Sequence, residues 1–188
     1  MRATLTVLGS GTSMGVPTIG CDCRVCTSDD PRDRRTRPSI MVQWEGRTVL
    51  IDTTPDFREQ AIREGIRRVD AILYTHGHAD HILGLDDVRP LSYPRITGGG
   101  KIPLFASDTT ERVLRSVFRY IFDGDYKYGG LAQVEIHPVS GPRCHRLLIQ
   151  IDGFRRVLLH AERKFVRRNP RRQFRVVWIE IGLIHLLQ

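Results

Sequence analysis

The sequence predicts an α/β protein with a mixed sheet covered by helices. Two observations carry this expectation. Short apolar runs rich in β-branched residues alternate with segments that open on helix-start signals, the order produced when helices cover a sheet. A tight hairpin signal, Glu45-Gly46 between "SIMVQW" and "RTVLID", adds antiparallel pairing to that order. The length of 188 residues suits one compact domain, and an apolar fraction of 40% is low for a globular chain but too high for a disordered one.

The elements follow in chain order. "ATLTVL" at 3–8 alternates and reads as a strand. It runs into Gly9-Ser10-Gly11-Thr12-Ser13-Met14-Gly15, where glycines allow positive φ; the segment is either a tight turn or a loop offering amides to an anion. After the hairpin, Thr54 is the expected cap, Pro55 the first helical residue, Asp56 an acid at the helix start and Gly65 the stop. "DAILYT" is continuously apolar after Asp70, as a strand buried on both faces would be. "IPLFAS" and "VEIHPV" are further strands. Between them, Asp108 is the expected cap of a helix whose apolar face is Val113, Leu114, Val117, Phe118 and Ile121.

The chemistry gathers at 75–81, "THGHADH", directly after the apolar run. Imidazole nitrogens and a carboxylate are ligands for hydrolytic Zn or Mn sites. His76 and His78, two apart, place both rings on one side, and Asp80 and His81 follow on the next turn, able to hold a second ion. A surface loop with chance histidines is a poor account of H-x-H-x-D-H at a strand end. A second cluster, Cys21, Cys23 and Cys26, offers three thiolates within six residues, which fits a tetrahedral structural zinc once a fourth ligand is supplied; reduced, unligated cysteines are the alternative.

"THGHADH" resembles the metal motif of the metallo-β-lactamase superfamily. "LGSGTSMGVPTIGCDCRVC", "RTRPSI" and "LIDTTPDFREQ" are similar to its branch named for phosphoribosyl 1,2-cyclic phosphate hydrolysis. Ribonuclease Z-like enzymes and pyrroloquinoline-quinone biosynthesis B proteins resemble parts of the same opening. The resemblance covers residues 3–142. It implies an αββα sandwich with mixed sheets, and metal-dependent hydrolysis of a cyclic phosphate or similar phosphodiester. His76 and His78 would ligate one divalent ion, Asp80 and His81 a second, with Asp80 also the candidate catalytic residue. Asp52 would orient a ligand imidazole, and Cys21, Cys23 and Cys26 would hold one structural zinc. Members of the family carry a second half with a His, a bridging Asp and a late His.

That second half is not recognisable here, so the fold is expected to be incomplete in its C-terminal half. Residues 1–142 are electrically neutral. Residues 143–188 hold ten Arg and one Lys against Asp152, Glu162 and Glu180, and so carry the whole net charge of +8. His145, Asp152, His160 and His185 lie in no matching motif. The segment reads as a basic arm, a divergent completion of the fold, or a frame-shifted tail; the abrupt change near Gly141-Pro142 favours the last. The expectation is therefore a cytoplasmic metal-dependent phosphodiesterase whose present chain is inactive through truncation. The rivals are a non-catalytic metal-binding or weak RNA-binding protein and a ribonuclease Z-like nuclease. The expected partner is a small phosphodiester, with no membrane and no specific nucleic acid, and with homodimer formation left open.

Overall fold

The computed structural model describes residues 3–123 and 130–139, together with one strand near the end of the chain. The strands are β1 (Ala3–Gly9), β2 (Ser39–Trp44), β3 (Arg47–Ile51), β4 (Ala71–Leu73), β5 (Ile102–Ala106), β6 (Val134–Pro138) and β7 (Val177–Ile179). They form a single sheet in the order β6-β5-β4-β3-β2-β1-β7. From β3 to β6 the pairing is parallel, and from β3 through β2 and β1 to β7 it is antiparallel. The mixed sheet thus changes character at β3, where the hairpin enters the parallel half.

Glu45 and Gly46 close that hairpin with φ of 45° and 77°, the positive pair that matches strand twist. Register then aligns one row across the sheet: Thr6, Met41, Leu50, Ile72, Leu104 and Ile136. All six are buried, and the five apolar members belong to one core cluster with Leu8, Phe57, Leu85 and Leu114. Each large side chain in that row stabilises the fold by about 1.5–3 kcal/mol through burial. On the opposite face Leu5, Val49 and Ala71 are buried as well, which explains why β3 and β4 are apolar without alternation.

The helices are α1 (Phe57–Glu64), α2 (Ala79–Ile82), α3 (Pro94–Thr97), α4 (Asp108–Val117) and α5 (Arg119–Phe122). Helix α1 starts later than the expected Pro55. The Thr54 hydroxyl accepts from the Asp56 amide at 2.9 Å, and the Asp56 carboxylate turns away to Arg37, so neither caps the helix. Gly65 does end it, with φ of 64°. Helix α4 is capped by Ser107, one residue before the expected Asp108. Its apolar face breaks at Phe118, which leaves Val117 exposed and starts α5.

The glycine loop after β1 is a close chain crossing. A Cβ on Gly9 would lie 2.0 Å from the Arg37 carbonyl, and one on Gly11 2.4 Å from that of Arg35. The Gly11 amide donates to Thr36 and the Gly15 amide to Thr12, so both are used within the protein rather than offered to an anion. The expected domain change near Pro142, Cys144 and the candidate ligands His145, Asp152, His160 and His185 lie outside the described residues. Of that segment the structure describes β7, which adds to the free edge of β1. Among the described residues, no helix is long and apolar enough to cross a membrane.

Candidate metal centre

Parallel strands β3 and β4 end side by side, and their C-terminal ends carry the polar residues, the usual position for a site in α/β proteins. Asp52 follows β3 and is buried, 4% exposed. Its φ of 62° is the left-handed region, uncommon for a residue other than glycine. The bend is held from both sides. The Asp52 amide donates to Leu73 and the Thr53 amide to His81, both at 2.9 Å. The Gly84 amide donates back to Thr53. Gly84 must lack a side chain here, since its Cβ would sit 2.0 Å from the Thr54 carbonyl. The buried Thr53 and Tyr74 hydroxyls pair at 2.7 Å and lock the two strand ends together.

The loop 75–81 lies over this frame, with α2 turning Asp80 and His81 back toward β3. His76 Nε2 and His78 Nδ1 face each other at 3.1 Å. His81 Nε2 and Asp80 Oδ2 face each other at 3.2 Å. The His76 and His81 rings are tilted, with centroids 4.0 Å apart, so the two pairs adjoin. Two ligand atoms at Zn–N distances of about 2.0–2.1 Å and a tetrahedral angle are separated by about 3.3 Å. The spacing within each pair therefore fits one divalent ion per pair, and the donor set is right for Zn or Mn.

Behind the rings, Asp52 accepts three hydrogen bonds. Oδ1 takes the Thr75 amide at 2.8 Å, and Oδ2 takes the Thr75 hydroxyl and His81 Nδ1, each at 2.7 Å. A carboxylate behind a ligand imidazole fixes its tautomer and leaves Nε2 facing outward. The Asp52 bond raises the His81 pKa, opposed by burial. Burial, with the neighbouring His81 charge, lowers that of His76. His81 is thus the more basic of the two rings in the metal-free protein.

The second cluster is also assembled. Ligand atoms of Cys21, Cys23 and Cys26 lie within 4.8 Å of one another, close to the spacing of about 3.8 Å that Zn–S bonds of 2.3 Å impose. The Thr18 amide donates to Cys26 Sγ at 3.4 Å. Hydrogen bonds from the Cys26 backbone and the Cys21 side chain draw the Cys23 thiol down to about 7. No fourth ligand stands beside the three among the described residues.

The structure places Asp52 and the four candidate ligands of the loop, His76, His78, Asp80 and His81, beside one another. Sequence reading missed Thr75, whose hydroxyl touches Asp52 and stands 3.0 Å from His76 Nδ1. The signal available was a hydroxyl residue directly before H-x-H. It also missed Arg37, which bonds Asp56 at 2.8 Å and the Ser13 carbonyl at 2.9 Å, tying the glycine loop to the turn after β3.

Residues 47–177 match the family model described as a beta-lactamase superfamily domain. A crystal structure of a diphosphatase from the PhnP family is 72% identical with a TM-score of 0.68, covering 74% of this chain and 51% of that one. Zinc-bound PqqB from Methylobacterium extorquens is 29% identical with a TM-score of 0.51, covering 74% of this chain and 50% of that one. An octanoyltransferase from Porphyromonas gingivalis is 45% identical over 123 residues, which are 65% of this chain and 24% of that protein. Coenzyme PQQ synthesis protein B from Methylorubrum populi is 37% identical over 99 residues, 45% of this chain and 33% of that protein. The chain spans about half the length of the solved relatives, and less of the curated ones.

Proposed function

From the premise that the chain belongs to the beta-lactamase superfamily, in its PhnP-like branch, we propose that it supplies half of a two-metal site for hydrolysis of a small phosphodiester or diphosphate. His76 and His78 hold one divalent ion; Asp80 and His81 hold the other. The observation that carries this reading is the pair of ligand-atom separations, 3.1 and 3.2 Å, each suited to one ion. A diphosphatase 72% identical to this chain supports the substrate class. When bound, the ions supply Lewis acidity and bring a water toward ionisation near neutral pH. Asp52 orients the imidazoles, and Asp80 faces the reacting side as ligand and acid–base candidate. Cys21, Cys23 and Cys26 hold a structural zinc apart from the reaction. The octanoyltransferase's activity is not carried over, because the match covers 24% of that protein.

The family resemblance implies a bridging carboxylate from the second half, and no residue of this chain lies in a motif that matches it. The 188-residue chain is therefore expected to hydrolyse bis(p-nitrophenyl) phosphate little above background with Zn or Mn supplied. Joined to the second half of the PhnP-family diphosphatase, it should turn over, and His78→Ala should abolish that turnover. A joined protein that loads both metals and hydrolyses neither phosphodiester nor diphosphate would refute the reading.

A further inference from the structure

The Thr75 hydroxyl stands between two groups with opposite needs. On one side, 2.7 Å away, is Asp52 Oδ2, a carboxylate oxygen that can only accept. On the other, 3.0 Å away, is His76 Nδ1. The hydroxyl has one proton. Giving it to His76 would leave two bare oxygens 2.7 Å apart beside the strand ends. The proton therefore goes to Asp52, and the hydroxyl oxygen is left to accept. His76 must then carry its hydrogen on Nδ1, which frees the Nε2 lone pair on the side where His78 Nδ1 faces it at 3.1 Å. The Thr75 amide, bonded to Asp52 Oδ1 at 2.8 Å, fixes the hydroxyl's backbone.

We infer that Thr75 is a positioning residue that extends the hold of Asp52 from His81 to His76, so that one carboxylate sets the tautomer of a ligand ring in each of the two metal pairs. Asp52 reaches His81 directly and His76 through the hydroxyl. This rests on the reading of His76 as a ligand, and it predicts hydrogen positions that exist before any metal arrives. In the metal-free chain His78 Nδ1 must donate to His76 Nε2. Zinc binding then removes the hydrogen from His78 Nδ1 while leaving the one on His76 Nδ1 in place.

The test uses the full 188-residue chain labelled with nitrogen-15. Long-range proton–nitrogen correlations read the tautomer of each histidine, and zinc titration is followed at the His76 resonances so that the cysteine cluster does not interfere. The wild type should show His76 with hydrogen on Nδ1, both without and with zinc. Thr75→Val keeps the shape and removes the hydroxyl. It should lose the single tautomer and weaken zinc at His76 by about 10–100-fold, the usual effect of losing a partner behind a ligand. Thr75→Ser should restore both to near wild-type values. Hydrogen on His76 Nε2 in the metal-free wild type would overturn the inference without any variant. So would unchanged zinc affinity in Thr75→Val, or a Thr75→Ser variant as weak as Thr75→Val. Zinc binding with the expected tautomers but no phosphodiester hydrolysis by the joined protein supports the inference and removes the catalytic reading, so the two fail separately.

Discussion

Asp52→Asn removes one charge at the point where the site is anchored, and almost nothing else. Asparagine accepts a positive φ as readily as aspartate, so the bend at 62° survives. What changes is the hydrogen bonding of a group 4% exposed. The native carboxylate accepts from the Thr75 amide on one oxygen, and from the Thr75 hydroxyl and His81 Nδ1 on the other. An amide has one oxygen to offer. With its nitrogen toward the amide of Thr75, two donors collide. With its nitrogen toward His81, the ring must move its hydrogen to Nε2, the atom that faces Asp80 at 3.2 Å. The first arrangement leaves a buried donor unsatisfied, at a cost of about 1–3 kcal/mol; the second puts a hydrogen on the His81 nitrogen that a metal would need. Losing a partner behind a metal ligand lowers affinity by about 10–100-fold, which is about 1.4–2.7 kcal/mol. The two estimates agree, so zinc affinity at the His81 ring should fall by one to two orders of magnitude. Zinc titration read at the His81 resonances measures it, with far-UV circular dichroism to show that the fold is kept. The His81 pKa should also fall toward its ordinary value, because the Asp52 bond is its main cause of elevation. A folded variant whose zinc affinity is unchanged within about twofold would refute this reasoning.

Three further outcomes are expected. In the metal-free protein, lowering the pH should protonate His81 before His76, because the carboxylate raises one ring and burial lowers the other; zinc affinity at His81 should therefore decline with falling pH before His76 gains charge, and a reversed order in an NMR titration would contradict the geometry. Alkylation of Cys23 should show a midpoint near about 7 without zinc and be suppressed by it, while Cys23→Ser should bind less zinc than the wild type by metal analysis; equal zinc content in both would count against the cysteine site. Gly84→Ala should destabilise the chain by at least about 1–3 kcal/mol, seen as a lowered Tm, since the added Cβ would meet the Thr54 carbonyl at 2.0 Å.

The sheet was legible because each strand announces itself locally. "ATLTVL" alternates, the Glu45-Gly46 turn sets one pairing, and "DAILYT" is apolar on both faces. The order of the strands was not legible, since it depends on which rows align, and the row from Thr6 to Ile136 gathers residues from six separate strands. Helix starts were misread by one or two residues for a tertiary reason. Asp56 carries the composition of a helix-start acid, yet its carboxylate is engaged by Arg37, nineteen residues earlier in the chain. The glycine loop was ambiguous for the same reason. Its need for glycine comes from the carbonyls of Arg35 and Arg37, which no local pattern brings alongside.

The candidate ligands stood out because chemistry and sequence coincide: four donors within six residues, on one loop. Their support did not stand out, because it comes from β3. Asp52 is 29 residues from His81 in the chain, and nothing in the sequence ties the Thr75 hydroxyl to it until β3 and β4 lie parallel. That separation has a consequence for how the site works. The loop could place four side chains near one another by itself, but with free rotation of each ring. Fixing them requires a rigid acceptor that does not move with the loop. Asp52 provides it, held by its own amide donating to the Leu73 carbonyl and by the His81–Thr53–Gly84 backbone bonds beside it. Because the same carboxylate contacts His81 directly and Thr75 beside His76, the two ligand pairs are not independent. A change that shifts the turn after β3, such as Gly84→Ala, should disturb both rings together even though it touches neither.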